Sequence, residues 1–224
     1  MSVPSARGYK TIIFDCDGVL LDSNKIKTQA FYKVALTYGR KPAMSLVEYH
    51  KQNGGVSRYE KFDFFLREIV GIKPTKGRLN SLLSDYSRLI IRDLLSCPIS
   101  MGLDYLNRLD LPARRMVISG SDQSELRSVF RARNLDCLFP DGIFGSPERK
   151  ENIVKRELHN NNICPPVLFV GDSKIDHEVA ETFGFDFLFI FGWSEFKDWR
   201  TYQRLKQFPY MRSLEEWLHV DTTN

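Results

Sequence analysis

Residues 12–23 read Ile12-Ile13-Phe14-Asp15-Cys16-Asp17-Gly18-Val19-Leu20-Leu21-Asp22-Ser23, an apolar run that ends abruptly in acid. Short apolar runs of this kind fit strands buried on both faces of a parallel sheet. In an extended chain, residues i and i+2 point to the same side, so Asp15 and Asp17 can face one site at the strand's carboxyl end. Ligands of open α/β sheets bind at that end, and Gly18 permits a tight turn away from it. Two carboxylates this close repel. A bound cation relieves the repulsion, and hard oxygen donors suit Mg²⁺. One carboxylate can attack phosphorus and the other can serve as general acid and base. Taken alone, D-x-D-G also occurs in ordinary turns, so the motif by itself leaves a pair of strand-end aspartates open.

Working outward, further short apolar runs occur at Met116–Ser119, Gly142–Phe144, Val167–Gly171 and Phe187–Phe191. Helical patterns at Ser124–Arg133, Glu148–His159 and Asp176–Phe183 alternate with them. That alternation predicts an α/β fold with a doubly wound parallel, Rossmann-like sheet. About a hundred residues separate the first two strands, far more than one crossover needs. Apolar residues at helical spacing fill that interval over Ile26–Leu36, Arg58–Val70 and Leu79–Leu95. The expected organisation is an α/β core of residues 1–22 and 97–224, with a helical cap domain of residues 23–96 inserted after the first strand. Asn24 and Ser96-Cys97-Pro98 are the expected hinges.

Three later segments place chemistry at strand ends. In Val117-Ile118-Ser119-Gly120-Ser121 a strand ends in a hydroxyl and a glycine, and Asp122 with Glu125 has capping-box spacing. Backbone N–H groups at such a helix start hold phosphate well. Lys150 and Arg149 stand near the start of the next helix, where either cation could face a strand-end site. Phe169-Val170-Gly171-Asp172-Ser173 is again a strand ending in acid, and Asp172 and Asp176 approach the same side if a helix begins near Ser173.

Taken together and in this order, the four segments resemble the haloacid dehalogenase superfamily of phosphohydrolases, in its capped phosphoglycolate phosphatase and β-phosphoglucomutase-like branch. The resemblance implies Asp15 as nucleophile and direct Mg²⁺ ligand. It implies Asp17 as acid/base, its backbone carbonyl also on the metal. Ser119 and Gly120 would bind phosphate, and Lys150 would neutralise the transferring group. Asp172 would bind the metal directly, with Asp176 supporting the metal's surroundings. Within the insert, Asn53-Gly54-Gly55-Val56-Ser57-Arg58 looks like the substrate-facing turn of the phosphoglucomutases, which makes Arg58 the candidate specificity residue. Ser57 as a helix cap followed by a solvated first turn reads the same residues equally well.

Composition bounds the rest. The 224 residues carry 42% hydrophobic and 27% charged residues and a formal net charge of +4. No apolar run is long enough to span a bilayer, and Met1–Lys10 lacks the apolar core of a secretory leader. Cys16, Cys97, Cys137 and Cys164 are scattered, which predicts free thiols and a cytoplasmic setting. Basic residues are dispersed; Arg127, Arg131 and Arg133, and Arg200, Arg204 and Lys206, read as solvated helix faces in preference to a nucleic-acid groove. The expected partner is a small phosphorylated molecule, with no nucleic acid and no membrane; oligomeric state is open. The resemblance thus implies a Mg²⁺-dependent phosphatase working through an aspartyl-phosphate. A phosphomutase is the alternative, and a non-catalytic binding protein on the same fold is a further one. The aromatic segment from Trp193 to Trp217 either closes the core or forms an interface.

Overall fold

The computed structural model describes residues 3–108 and 113–222. Its six strands are β1 (Thr11–Phe14), β2 (Arg114–Asp122), β3 (Ile143–Ser146), β4 (Val167–Gly171), β5 (Asp186–Ile190) and β6 (Tyr210–Met211). They form one sheet in the order β3-β2-β1-β4-β5-β6, and every adjacent pair is parallel. The chain runs outward from β1 to β3, then crosses back to start β4 on the other side of β1. That reversal opens a crevice beyond the carboxyl ends of β1 and β4.

Alternation along the strands splits the core. Ile12, Phe14, Val117, Leu168, Val170 and Leu188 face one side. There they meet α5 (Gly102–Arg108), α6 (Gln123–Ala132) and α10 (Leu214–Thr222). Ile13, Met116, Ile118, Phe169 and Phe187 face the other, against α7 (Lys150–His159), α8 (Lys174–Phe183) and α9 (Trp199–Lys206). Trp199, Phe208 and Trp217 are all buried, so the aromatic C-terminal segment closes the core. In α10, Leu214, Trp217 and Leu218 stand at helical spacing and are buried.

Between β1 and β2 the chain forms α1 (Asn24–Ala35), α2 (Arg40–Gln52), α3 (Arg58–Phe64) and α4 (Lys76–Leu94). A π-helical turn, Phe65–Val70, extends α3 and ends at Gly71 in the left-handed region. The buried stripe of α3 is not the purely apolar one its sequence suggests. Arg58 and Lys61 are buried beside Phe62, Phe65 and Leu66, while Tyr59 and Ile69 are only half-buried.

Two local readings change. Asp122 does cap α6 by accepting from Glu125 N, but the Glu125 side chain does not return to close a capping box; it is drawn to Arg58. Arg133 does not lie on a solvated face. Its guanidinium donates to Leu94 O at 2.8 Å and Cys97 O at 2.6 Å, pinning the end of the helical insert. All four cysteines are free, and no helix among the described residues is long and apolar enough to cross a membrane.

Candidate functional site

The crevice at the β1/β4 switch point gathers carboxylates because each neighbouring strand ends in one. Asp15 follows β1, its N–H donating to Val170 O of β4, and is 2% exposed. Asp172 follows β4. Ser173 and Asp176 form a capping box at the start of α8, in which Asp176 Oδ2 accepts from Ser173 N at 3.1 Å and Ser173 Oγ at 2.7 Å. This turns Asp176 back toward the strand end. Lys150, the first residue of α7, places Nζ 2.9 Å from Asp15 Oδ1 and 2.5 Å from Asp176 Oδ1. Two glycines make room. A Cβ on Gly18, whose φ is +78°, would fall 2.1 Å from Asp172 Oδ2. One on Gly171 would fall 2.4 Å from Asp176 Cβ.

Asp15, Asp172 and Asp176 each present an oxygen within 4.8 Å of the others. Burial pushes the Asp15 carboxyl up to about 7; Lys150 pulls against this, and Asp176 and Asp17 add to it. Burial, then Asp15 and Asp176, likewise hold Asp172 well above the usual carboxylate range. Lys150 goes the other way: burial would lower it, but Asp15 and Asp176 outweigh burial and raise it. One lysine for three buried acids leaves negative charge in excess. Asp15 Oδ1 also lacks an aligned hydrogen-bond donor despite its closeness to Lys150. An all-oxygen, anionic, under-satisfied donor set fits a hard divalent cation, so this cluster can hold a metal ion.

Asp17 lines the same cleft but has separate partners. Its Oδ2 accepts from Lys27 Nζ at 2.5 Å and Ser121 Oγ at 2.7 Å, and its Oδ1 from Ser23 Oγ at 2.5 Å. Burial opposes ionisation here, yet Lys27 and the hydroxyls overcome it and hold the carboxyl below the usual range. The two aspartates of the first motif are therefore set apart by environment: Asp15 among acids, Asp17 against a cation.

The helical insert covers this wall closely. A Cβ on Gly120 would lie 2.2 Å from Gly55 O, and ones on Gly54 and Gly55 would lie 3.1 and 3.0 Å from Ser173. The 53–56 turn thus rests on the β2 and β4 loops with no room for a methyl group at Gly120. Tyr59 Oη donates to Asp122 Oδ2 at 2.6 Å, and Arg149 Nη2 to Glu60 Oε2 at 2.6 Å. Beneath lies a cleft between core and insert.

Asp15, Asp17, Gly120, Arg58 and Asp172 all line this cleft. Asp176 and Lys150 sit directly behind Asp15. Of the two candidate cations near α7, Lys150 faces Asp15, and exposed Arg149 faces Glu60. Ser119 is fully buried, its Oγ accepting from Ser121 N at 3.2 Å. Ser121 is the hydroxyl residue of this loop that lines the cleft. Arg58 is buried and bound to Glu125 through both guanidinium nitrogens, and Nη1 also donates to Ser87. Burial would lower its pKa, but Glu125 more than compensates and raises it. Ser57 caps α3, accepting from Glu60 N, so the helix cap and a buried Arg58 coexist.

Among the polar lining residues to which sequence reasoning gave no role in the site, five bear on the chemistry. Asn24, read as a hinge, donates to Asp172 Oδ2 at 2.8 Å and to Trp193 O at 3.0 Å. The others are Lys27, His50, Lys61 and Ser121. Three of these had a usable signal: Lys27, His50 and Lys61 each occupy a position on their helix's buried stripe, three or four residues from an apolar neighbour.

No curated protein sequence matches the chain. Among solved structures, a β-phosphoglucomutase from Clostridium difficile is 16% identical, with a TM-score of 0.72 over 96% of this chain and 99% of that one. A predicted phosphoglycolate phosphatase from Haemophilus somnus 129pt is 15% identical, with a TM-score of 0.68 over 95% and 97%. A conserved haloacid dehalogenase-like protein of unknown function from Agrobacterium tumefaciens is 19% identical, with a TM-score of 0.70 over 96% and 99%. At these identities the likeness is one of fold. The model of the haloacid dehalogenase-like hydrolases matches residues 9–184, and the chain belongs to that family.

Proposed function

We propose that the protein is a Mg²⁺-dependent phosphatase of a small phosphorylated metabolite, with Asp15 as nucleophile. The observation that carries this reading is the placement of Asp15 at the floor of the cleft, between Lys150 and two further buried carboxylates. Asp15, Asp172 and the backbone carbonyl of Asp17 would hold Mg²⁺, with Asp176 fixing their surroundings through Lys150 and Ser173. When bound, the ion supplies positive charge against the phosphoryl oxygens.

The protein's own groups do the remainder. An Asp15 carboxylate oxygen forms a bond to phosphorus as the bond to the leaving oxygen breaks, and Asp17 gives that oxygen its proton. Asp17, now a carboxylate, takes a proton from water as the water oxygen attacks the aspartyl-phosphate. This releases phosphate and restores Asp15. Lys150 offsets charge on the transferring group. Gly120 lets the β2 loop approach the phosphoryl oxygens, with Ser119 supporting that loop from below. Asp17 is held by Lys27 as the carboxylate, the form the second half requires. The first half requires a proton on Asp17, so Lys27 must part from it when substrate enters. Arg58 meets the leaving group only by giving up Glu125.

Residues 23–96 would act as the cap over a core of 1–22 and 97–224, excluding water during turnover. The four free cysteines support a reducing, cytoplasmic setting. The test is hydrolysis of p-nitrophenyl phosphate by the purified protein with and without Mg²⁺, in wild type and Asp15→Asn. Turnover that survives in the variant would remove Asp15 from its role. A requirement for a sugar bisphosphate would make a sugar, not water, the phosphoryl acceptor and assign a phosphomutase.

A further inference from the structure

The insert-side wall of the cleft carries a cation that has no counter-ion among the described residues. Lys27 is paired with Asp17 and Arg58 with Glu125, and Lys51 lies 3.9 Å from Glu195. Lys61, one helical turn after Arg58 on α3, is 2% exposed and has no acid within ion-pair distance among the described residues. Its Nζ lies 2.8 Å from His50 Nδ1 of α2, at hydrogen-bond distance. The Phe31 ring, 5.6 Å from Nζ, supplies weak cation–π compensation. Both Lys61 and His50 line the cleft that holds Asp15.

A buried ammonium without an anion is strongly unfavourable, and a methionine would fill the same space at no electrostatic cost. Burial, with Lys27 adding to it, pushes Lys61 down to about 7. Burial and Lys61 hold His50 well below its ordinary value. Each is therefore poised to gain from an incoming negative charge. Uncompensated charge kept at a site facing bound substrate is the pattern expected where stability is exchanged for recognition.

We infer that Lys61 and His50 form a subsite for a second anionic group, a carboxylate or a second phosphate, on the leaving-group portion of the substrate. This rests on the phosphatase reading and extends it: the substrate class is a phosphate monoester that bears another acid. The phosphoryl group sits against the core wall, where Asp15 lines the cleft with Lys150 behind it. The second anion sits against α2 and α3, where Lys61 donates to it in place of His50. Phe31 and Tyr86 wall the space between, which favours a compact substrate.

The experiment compares kcat/KM of wild type and Lys61→Met on 2-phosphoglycolate, fructose 1,6-bisphosphate and p-nitrophenyl phosphate. A charge-assisted hydrogen bond in a buried site corresponds to at least about tenfold. The variant is therefore expected to lose at least about tenfold more on one acidic probe than on p-nitrophenyl phosphate. The probe that loses most tells carboxylate from phosphate. Equal losses on all three probes would overturn the subsite, since a structural role for Lys61 lowers every rate alike. If wild type hydrolyses none of them, the phosphatase reading fails separately, and the subsite is then read from binding. In Mg²⁺, the acidic probes should raise the melting temperature of wild type more than that of Lys61→Met. Equal protection would sink the inference.

Discussion

Two cations one helical turn apart on α3 face the same cleft and have opposite electrostatic fates. Arg58 is matched by Glu125 of α6, and its planar fork meets both carboxylate oxygens. Lys61, among the described residues, meets a histidine and an aromatic ring and no acid. The first joins the insert to the core. A larger version of the same contrast sets the core wall, where three acids share one lysine, against the cap wall, where a lysine lacks an acid. A ligand with an anionic group at each end, and a cation between one of them and the core wall, would satisfy both.

The largest effect expected is on the core wall. Asp15→Asn keeps the shape and removes the attacking charge, so turnover of p-nitrophenyl phosphate should fall by about 10⁴-fold or more. Circular dichroism should show the fold intact. A smaller loss would move the chemistry off the core wall and undo the division between the two walls. Next comes the seam between them. Gly120→Ala adds a methyl group 2.2 Å from Gly55 O, and backbone on both sides cannot yield without lifting the 53–56 turn. A displacement of about 1 Å near the reacting atoms lowers kcat/KM by roughly 10²-fold. Kinetics indistinguishable from wild type would show that the seam opens freely and that the packing between insert and core does not govern the site.

The α3 pair gives the cleanest contrast, because one substitution made at two positions should shift stability in opposite directions. Arg58→Met leaves the half-buried Glu125 without its partner, which costs about 3 kcal/mol, or roughly 6–12 °C in melting temperature for a chain of this size. Lys61→Met removes an uncompensated charge and should raise the melting temperature by a few degrees. Two losses of similar size would mean that Lys61 is structurally compensated after all.

How much of this was legible follows from distance along the chain. The strand ends at Asp15, Ser119 and Asp172 could be read because each sits in a few consecutive residues whose pattern changes from apolar to polar. The doubly wound sheet followed from the alternation of short apolar runs with helical ones, and the meeting of Asp15 and Asp172 from the family resemblance. The partner of Arg58 could not be read. Glu125 lies 67 residues away, on a different element, and its spacing from Asp122 suggested a local cap instead. Lys61 was passed over for a related reason. In the series Tyr59, Phe62, Phe65, Leu66, Ile69 the apolar residues define the stripe, and a lysine on the stripe's edge reads as solvated. Its place four residues before Phe65 was the available signal, and the packing of α2 and α1 against α3 shows it to be buried. Asn24 looked like a hinge because its neighbours change character there; its hold on Asp172 spans 148 positions.

The pH dependence of the Lys61→Met effect sharpens the comparison furthest, though its size is the smallest. Lys61 has an ordinary value of 10.5 and is pushed down to about 7 in the fold. Lys27, Asp17, Glu195 and Lys150 act on it from around the cleft, and His50 touches it. Below pH 7 both folded and unfolded chains carry the proton, so the folded state bears the full penalty of the buried charge. Between about 7 and 10.5 the folded chain has released the proton while the unfolded chain keeps it, so stability rises with pH. Lys61→Met has no such proton to lose. The gain in melting temperature of the variant over wild type should therefore be greatest near pH 7 and shrink toward pH 10. His50 does not blur this window. Its folded value lies well below 6.5, so its contribution, a loss of stability as the unfolded ring takes up a proton, falls on the acid side. Melting curves of both proteins at half-unit steps from pH 7 to 10 measure the difference. A difference that is flat with pH would mean that the lysine keeps its proton throughout, and so that an anion in the fold already answers it.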